Sequence, residues 1–312
     1  MKRFHLAFLA VLILGFAGCS LPAAPGNRHA ILIGITNYKE VRSLVYPVND
    51  LADMKALLAK SGWTVDLVLS DAKATKAGIR NGISGMAGNL DADSSVVVYY
   101  SGHGDSEDGT GYIIPYDTRI SGSDPVVSTM ISTTELKSWI SALPARNKLL
   151  ILDSCYSGTF VDQVTTIDSA PPNYGPKDGG VDAGMLATAL TNGARLLSMA
   201  LSDAGDPAIL TISAAGSEEL SYDDNDNKNG AFSYYLIQAG SDAAADADGN
   251  GLVTALEAYA YAKTMLIARW NSLNYNQLSG SYDLVTGLPL YQDFLPRVSG
   301  GSGDFVLYDK RF

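Results

Sequence analysis

The sequence predicts an α/β protein of three layers, with a mainly parallel central sheet and helices on both faces. Three observations carry this. Short runs rich in Val, Ile and Leu alternate along the chain with segments of helical periodicity. The runs are apolar throughout, so both faces of each strand are covered. Polar, glycine-bearing clusters (SGHG, DSCYSG and SAAGSE) follow the third, fourth and fifth runs. In such sheets ligands bind beyond the carboxyl ends of the strands.

Residues 1–18, MKRFHLAFLAVLILGFAG, open with Lys2 and Arg3 and are nearly all apolar from Phe4 to Phe16. This is the pattern of a signal peptide, too short for a membrane span. The stretch ending in Cys19 resembles the lipobox of bacterial lipoproteins, whose cysteine is lipidated and becomes the new N-terminus. Phe16 stands where leucine is common, and ordinary signal cleavage nearby is the alternative. Residues 19–28 then form a lipidated tether, and the protein is expected to be exported and membrane-anchored in the cell envelope. Loss of residues 1–18 takes the formal charge from −11 to −13, because Lys2 and Arg3 leave and no acid does. So acidic a chain, with no Lys/Arg cluster, repels phosphate backbones, which excludes nucleic acid as a partner. The 312 residues, 46% of them apolar, suffice for a large core, assigned to residues 29–312.

The elements follow in order. His29–Ile35 is the first strand. Leu51, Met54, Leu57 and Leu58 recur at helical spacing in the next segment, with Asn49 or Asp50 as N-cap. Thr64–Ser70 is the second strand. Thr75 caps a weakly periodic helix that runs toward Leu90. Ser94–Ser101 is the third strand, and Thr133–Leu143 a helix capped by Thr133 or Thr134. Lys148–Ser154 and Pro207–Ala214 are the fourth and fifth strands. Residues 231–240 and 255–266 have helical character. The tail from Pro296 to Tyr308 suggests an edge strand after a Gly/Ser turn.

His103 and Cys155, 52 residues apart, both sit at strand ends on the ligand-binding rim. A thiolate is a nucleophile, and a nearby imidazole can take the thiol proton and return it to a leaving amine. Gly102 and Gly104 let backbone approach a substrate, and the amides of Gly104 and Cys155 are candidate oxyanion donors. The bland alternative is a buried structural cysteine and a surface-loop histidine. Only two cysteines occur. With Cys19 acylated, Cys155 has no disulfide partner.

The motifs HAILIGI, YYSGHGD and LLILDSCYSG resemble core strands of the caspase/metacaspase superfamily of cysteine peptidases. The His–Cys spacing also fits. The resemblance implies a caspase-like three-layer sandwich. A large-subunit-like part spans about 29–160, an irregular linker about 160–205, and a small-subunit-like part about 206–312. It makes Cys155 the nucleophile and His103 the general base and acid. The chain has DSC where aspartate-cutting caspases have Gln-Ala-Cys, and here it is similar to metacaspases. Their pocket for Lys or Arg implies a substrate-binding role for Asp50, Ser101, Asp153 and Ser213. Two carboxylates facing one cavity repel unless a cation such as a guanidinium joins them. In relatives the linker is where processing occurs. Here it contains Lys177 in a Pro/Gly-rich portion and Arg195 in a more helical one.

Residues 246–257, DADGNGLVTALE, fit the EF-hand loop pattern D-x-[DN]-x-[DN]-G-x5-E. The ligands to Ca2+ would be Asp246, Asp248, Asn250, the carbonyl of Leu252, Thr254 directly or through water, and bidentate Glu257, with Gly251 at the sharp turn. A helix N-cap turn of the same composition is the alternative. Residues 223–230, DDNDNKNG, lack that spacing and are expected to form a solvated loop.

The reading is a lipid-anchored cysteine endopeptidase of metacaspase type that cuts protein or peptide substrates after Lys or Arg. Its rival is a non-catalytic caspase-fold scaffold or interaction lipoprotein with a calcium loop.

Overall fold

The structure, a computed structural model, describes residues 27–107, 110–122, 124–154, 167–168, 174–176, 209–214, 221–266, 291–292, 296–301 and 305–311. Cys19, Cys155, Lys177, Arg195 and the signal-like segment lie outside the described residues.

Strand β1 (Arg28–Gly34) is buried along its whole length, as its unbroken apolar run requires. Helix α1 (Pro47–Lys60) starts two residues earlier than Asn49, with Pro47 in its first turn, where a missing N–H leaves nothing unpaired. Tyr46 is its N-cap, so neither Asn49 nor Asp50 caps it. Leu51, Met54 and Leu58 form its buried stripe. Strand β2 (Thr64–Ser70) matches the sequence reading and stays half-buried at the sheet edge. Helix α2 (Lys76–Gly85) is capped by Thr75, whose hydroxyl accepts from the Gly78 amide. Strand β3 (Ser95–Ser101) continues into a small antiparallel sheet of β4 (Gly104–Glu107), β5 (Thr110–Ile113) and β6 (Ile131–Ser132). Helix α3 (Thr133–Ser141) is capped by Ser132 rather than by Thr133 or Thr134. Ser132 accepts from the Glu135 amide, and Glu135 accepts from the Ser132 amide.

Strands β7 (Asn147–Asp153) and β8 (Ile209–Ser213) complete the parallel set. The hairpin of β9 (Tyr222–Asp224) and β10 (Asn229–Gly230) leads into α4 (Ala231–Gln238). Next come β11 (Leu252–Thr254), α5 (Ala255–Leu266), β12 (Arg297–Ser299) and β13 (Val306–Asp309). The central sheet runs β12-β8-β7-β3-β1-β2. All neighbours are parallel except β12, which is antiparallel to β8.

Strand alternation divides the core between the two faces. Ala30, Leu32, Val97, Tyr99, Leu149, Ile151, Leu210 and Ile212 face α1, α4 and α5. Ile31, Ile33, Val96, Val98, Leu150 and Leu152 face α2 and α3. The tail departs from expectation. It forms two strands in two sheets, and only β12 is an edge strand of the main sheet. The other, β13, pairs with β11 and places Leu307 and Tyr308 in the core. Tyr308 donates to the Leu236 carbonyl at 3.0 Å, and the Leu307 carbonyl accepts from the Trp63 indole at 2.7 Å. The linker also differs in part: Tyr174–Pro176 forms a strand antiparallel to β9. The 223–230 segment is a hairpin whose stem (Asp223, Asp224, Asn229 and Gly230) is buried, while its tip at Asn225, Asp226 and Lys228 is exposed, so the expected solvated loop holds for the tip alone. Asp224 is fully buried because its carboxylate accepts from the Asp226 and Asn227 amides and the Asn227 side chain. Among the described residues no helix is long and apolar enough to cross a membrane.

Candidate active site

Register gathers the polar residues at one end of the sheet. Gly34 pairs with Ser101, and Ser101 with Asp153. His103 and Cys155 stand at the same offset along the chain, two residues beyond this Ser101–Asp153 pair. Ser213, fully buried at the end of β8, pairs with Leu152. Alternation puts Ile212 and Ala214 on the face that Asp153 shares, and Ser213 on the face of Leu152.

Asp50 reaches this end from the first turn of α1. The close approach of α1 to β1 depends on Gly34, where a Cβ would lie 2.2 Å from Leu51 Cδ1 and 2.8 Å from the Pro47 carbonyl oxygen. Asp50 accepts from Ser101 Oγ at 2.7 Å and from the Gly230 amide at 2.8 Å. Asp153 accepts from Ser221 Oγ at 2.6 Å, from the Ser233 amide at 3.2 Å and from Ser233 Oγ at 2.5 Å. Both acids are fully buried. Gly230 is the N-cap of α4 and Ser233 lies in its first turn, so both carboxylates sit on donors at one helix N-terminus, where the helix dipole favours negative charge. The neighbouring Tyr99 registers them. Burial, and then the charges of Asp50 and Asp153, push its phenol well above the ordinary value.

His103 is held on three sides. Its amide donates to the Tyr38 hydroxyl at 2.7 Å. Its carbonyl accepts from the Tyr100 hydroxyl at 2.6 Å and from the Ile114 amide at 3.1 Å. Its Nε2 lies 2.8 Å from the Arg42 carbonyl. A carbonyl only accepts, so Nε2 carries the hydrogen and the basic site of the neutral ring is Nδ1. The Arg42 loop is itself pinned to the hairpin, by Tyr46 donating to Asn225 at 3.1 Å and Asn49 donating to the Lys228 carbonyl at 2.9 Å. Gly104 opens β4 in register with Ile113. Gly102 differs from the sequence reading: the space its missing side chain leaves is taken by the phenols of Tyr38 and Tyr100.

Sequence reasoning named Asp50, Ser101, Asp153 and His103, which the structure gathers at one sheet end. It missed Ser221, Ser233, Tyr99, Tyr38 and the Arg42 carbonyl. A clue for Ser233 was present: a lone serine in the apolar run AFSYYLI.

The second acidic site lies apart. Asp246, Asp248 and Glu257 place ligand oxygens within 4.8 Å of one another. Gly249 and Gly251 take φ of 70° and 82°, which glycine adopts without strain. Asp246 accepts from the Asn250 and Gly251 amides, and Asp248 from Asn250. Glu257 accepts from the amide and hydroxyl of Thr254, while Thr254 Oγ1 accepts from the Glu257 amide. These hard oxygen donors suit Ca2+. Thr254 and Glu257 also cap α5, so the two sequence readings of this loop are not mutually exclusive.

The family model for the caspase domain matches residues 27–271. The chain belongs to the caspase-domain family. This family is one of cysteine peptidases. Among curated relatives, Metacaspase-1 of Ajellomyces capsulatus is 30% identical over 155 residues, covering 44% of this chain and 42% of that protein. Metacaspase-1 of Candida albicans is 25% identical over 280 residues, covering 80% of this chain and 59% of that protein. The matched stretch is therefore less than two thirds of either relative. Caspase-1 of Spodoptera frugiperda superposes with a TM-score of 0.54 at 13% identity, covering 92% of each chain. A crystal structure from Geobacter sulfurreducens superposes at 0.52 with 18% identity, covering 89% of this chain and 95% of that one. At these identities the likeness establishes the caspase fold alone.

Proposed function

We propose that this chain is a cysteine endopeptidase that cleaves after Lys or Arg. The observation that supports the reading is the pair of buried carboxylates, Asp50 and Asp153, gathered at the strand ends beside His103. A buried acid pair is complementary to a guanidinium or ammonium and repels an acidic residue. Ser101 belongs to this pocket through Asp50, whereas Ser213, on the opposite face of the sheet from Asp153, is not assigned to it.

In the mechanism, the Cys155 thiol loses its proton to Nδ1 of His103 and the sulfur attacks the scissile carbonyl carbon. The negative oxygen is met by the amides of Gly104 and Cys155. The tetrahedral intermediate collapses, the C–N bond breaks, and His103 returns the proton to the amine. Water, deprotonated by the same nitrogen, then hydrolyses the thioester and regenerates the thiol. The Arg42 carbonyl fixes the tautomer that leaves Nδ1 basic.

Two further assignments belong to the proposal. The 246–257 loop binds Ca2+ through Asp246, Asp248, Asn250, Leu252, Thr254 and Glu257, and braces the second half of the domain. Cys19 carries a lipid that anchors the protein to a membrane. The deciding experiment is cleavage of fluorogenic peptides ending in Arg, Lys or Asp, with Cys155→Ala as control. Asp153→Asn should lose about 2–5 kcal/mol of transition-state binding for Arg, because a buried charge loses its partner. Equal cleavage after Arg and Asp, or full activity in Cys155→Ala, would refute the reading.

A further inference from the structure

Three residues on separate elements form a buried chain: Tyr99 on β3, Ser233 on α4 and Asp153 on β7. Tyr99 and Ser233 oxygens are 2.5 Å apart, as are Ser233 Oγ and Asp153 Oδ2. All three residues are fully buried. Elementary valence orders the hydrogens. A carboxylate accepts, so Ser233 gives its single hydrogen to Asp153. Ser233 then has none left for Tyr99, and Tyr99 must donate to Ser233. Tyr99 keeps that hydrogen, since burial and the nearby acids push its phenol well up.

Ser233 contacts Asp153 twice, through amide and hydroxyl, and both bonds fall on Oδ2. Ser221 holds the other oxygen. Ser233 sits in the first turn of a helix, and its hydroxyl is backed by Tyr99. We infer that Ser233, oriented by Tyr99, is a positioning residue that sets the Asp153 carboxylate and thereby the preference for a cationic side chain. The inference rests on the Lys/Arg reading above. It extends that reading to a residue on the helix, 80 positions along the chain from Asp153.

The test measures binding without turnover. Cys155→Ala protein is titrated with agmatine, which carries a guanidinium, and with its uncharged urea counterpart. Adding Ser233→Ala should weaken agmatine about tenfold, the worth of a charge-assisted hydrogen bond, and leave the urea unchanged. Ser233→Thr, which keeps the hydroxyl, should restore agmatine binding to within about twofold. Undiminished agmatine binding in Ser233→Ala overturns the inference alone. So does equal weakening of both probes, which marks a merely structural role. Absence of agmatine binding in the Cys155→Ala parent overturns the Lys/Arg pocket and the inference together. Should Ser233→Ala fail to fold, Tyr99→Phe carries the test. It removes the donor behind Ser233, and unchanged selectivity for agmatine over the urea in that variant overturns the proposal.

Discussion

Gly102→Ala should disable His103 by crowding it. A Cβ on residue 102 would lie 2.5 Å from the Tyr100 hydroxyl oxygen, 2.7 Å from that of Tyr38 and 2.8 Å from Tyr100 Cζ. Ordinary contacts begin near 3.4 Å, so the phenols must retreat by nearly an ångström. Both rings are buried and cannot swing aside freely. Their hydroxyls bond the amide and the carbonyl of His103, so the histidine moves with them. Overpacking costs roughly 1–3 kcal/mol, and each strained hydrogen bond about 1 kcal/mol more. A total of about 3–5 kcal/mol corresponds to a fall in Tm of roughly 6–20 °C for a domain of this size. Activity should drop further than stability alone dictates, about 100-fold in kcat/KM at a temperature where the variant is folded, because the imidazole is displaced by about an ångström. Differential scanning calorimetry and a peptide assay at low temperature read the two effects. Tyr38→Phe is the companion: it loses one hydrogen bond without crowding and should cost only about 1 kcal/mol. A Gly102→Ala protein with unchanged Tm and kcat/KM would refute the argument that this glycine is present for space.

Other outcomes follow from the same structure. Cys155→Ala should abolish peptidase activity and leave Tm within about 2 °C, since exchanging a thiol for a methyl removes little packing; calorimetry beside the activity assay checks both. Calcium should raise Tm, by an equivalent of about 2.7 kcal/mol at a hundredfold excess over Kd, and Glu257→Gln should lose most of that gain while remaining active at low temperature. No heat of binding at millimolar calcium would remove the site. Asp309, nearly fully buried, accepts from Arg311 Nε and Nη2 at 2.9 and 2.7 Å, and that guanidinium holds its carboxyl below the ordinary 3.8. A depressed pKa stabilises the fold above the unfolded value and is lost as pH falls through the folded one. The stability advantage over Asp309→Asn should therefore be full at pH 5 and above, and vanish in acid below 3.8; an advantage independent of pH would contradict the pairing.

The strands were legible because a parallel strand covered on both faces needs an unbroken apolar run, and Thr64–Ser70 was read to the residue. Their shared carboxyl end made His103 legible too, whereas Ser101 and Asp153 were singled out by the resemblance to metacaspases. Caps were harder. Ser132, Thr133 and Thr134 are three adjacent hydroxyls, and only Glu135, three residues past Ser132, distinguishes them. The tip of the 223–230 hairpin is solvated as its Asp and Asn suggest, but its stem was not legible, because the turn amides that satisfy buried Asp224 exist only once the chain folds. Ser233 was hidden for a related reason: its partners Tyr99 and Asp153 come from other elements, and a single chain does not display such distances. The tail was read as one strand because its two halves join different sheets, a choice made by packing around Tyr308 rather than by local pattern.

Strand β1 enters at Arg28, paired with Ser95, and leaves at Gly34, paired with Ser101. Seven residues at about 3.3 Å each put roughly 20 Å between the entry edge and the His103 edge. If Cys19 carries a lipid as proposed, the eight residues from 19 to 26 could span at most about 28 Å to the entry edge. The domain would then be tethered by its entry edge, with the His103 edge at the far end of the sheet. Such an orientation selects targets by reach. Extended segments arriving from the aqueous side would meet the His103 edge directly, whereas a segment flush with the lipid headgroups would lie nearer the entry edge, behind the body of the domain.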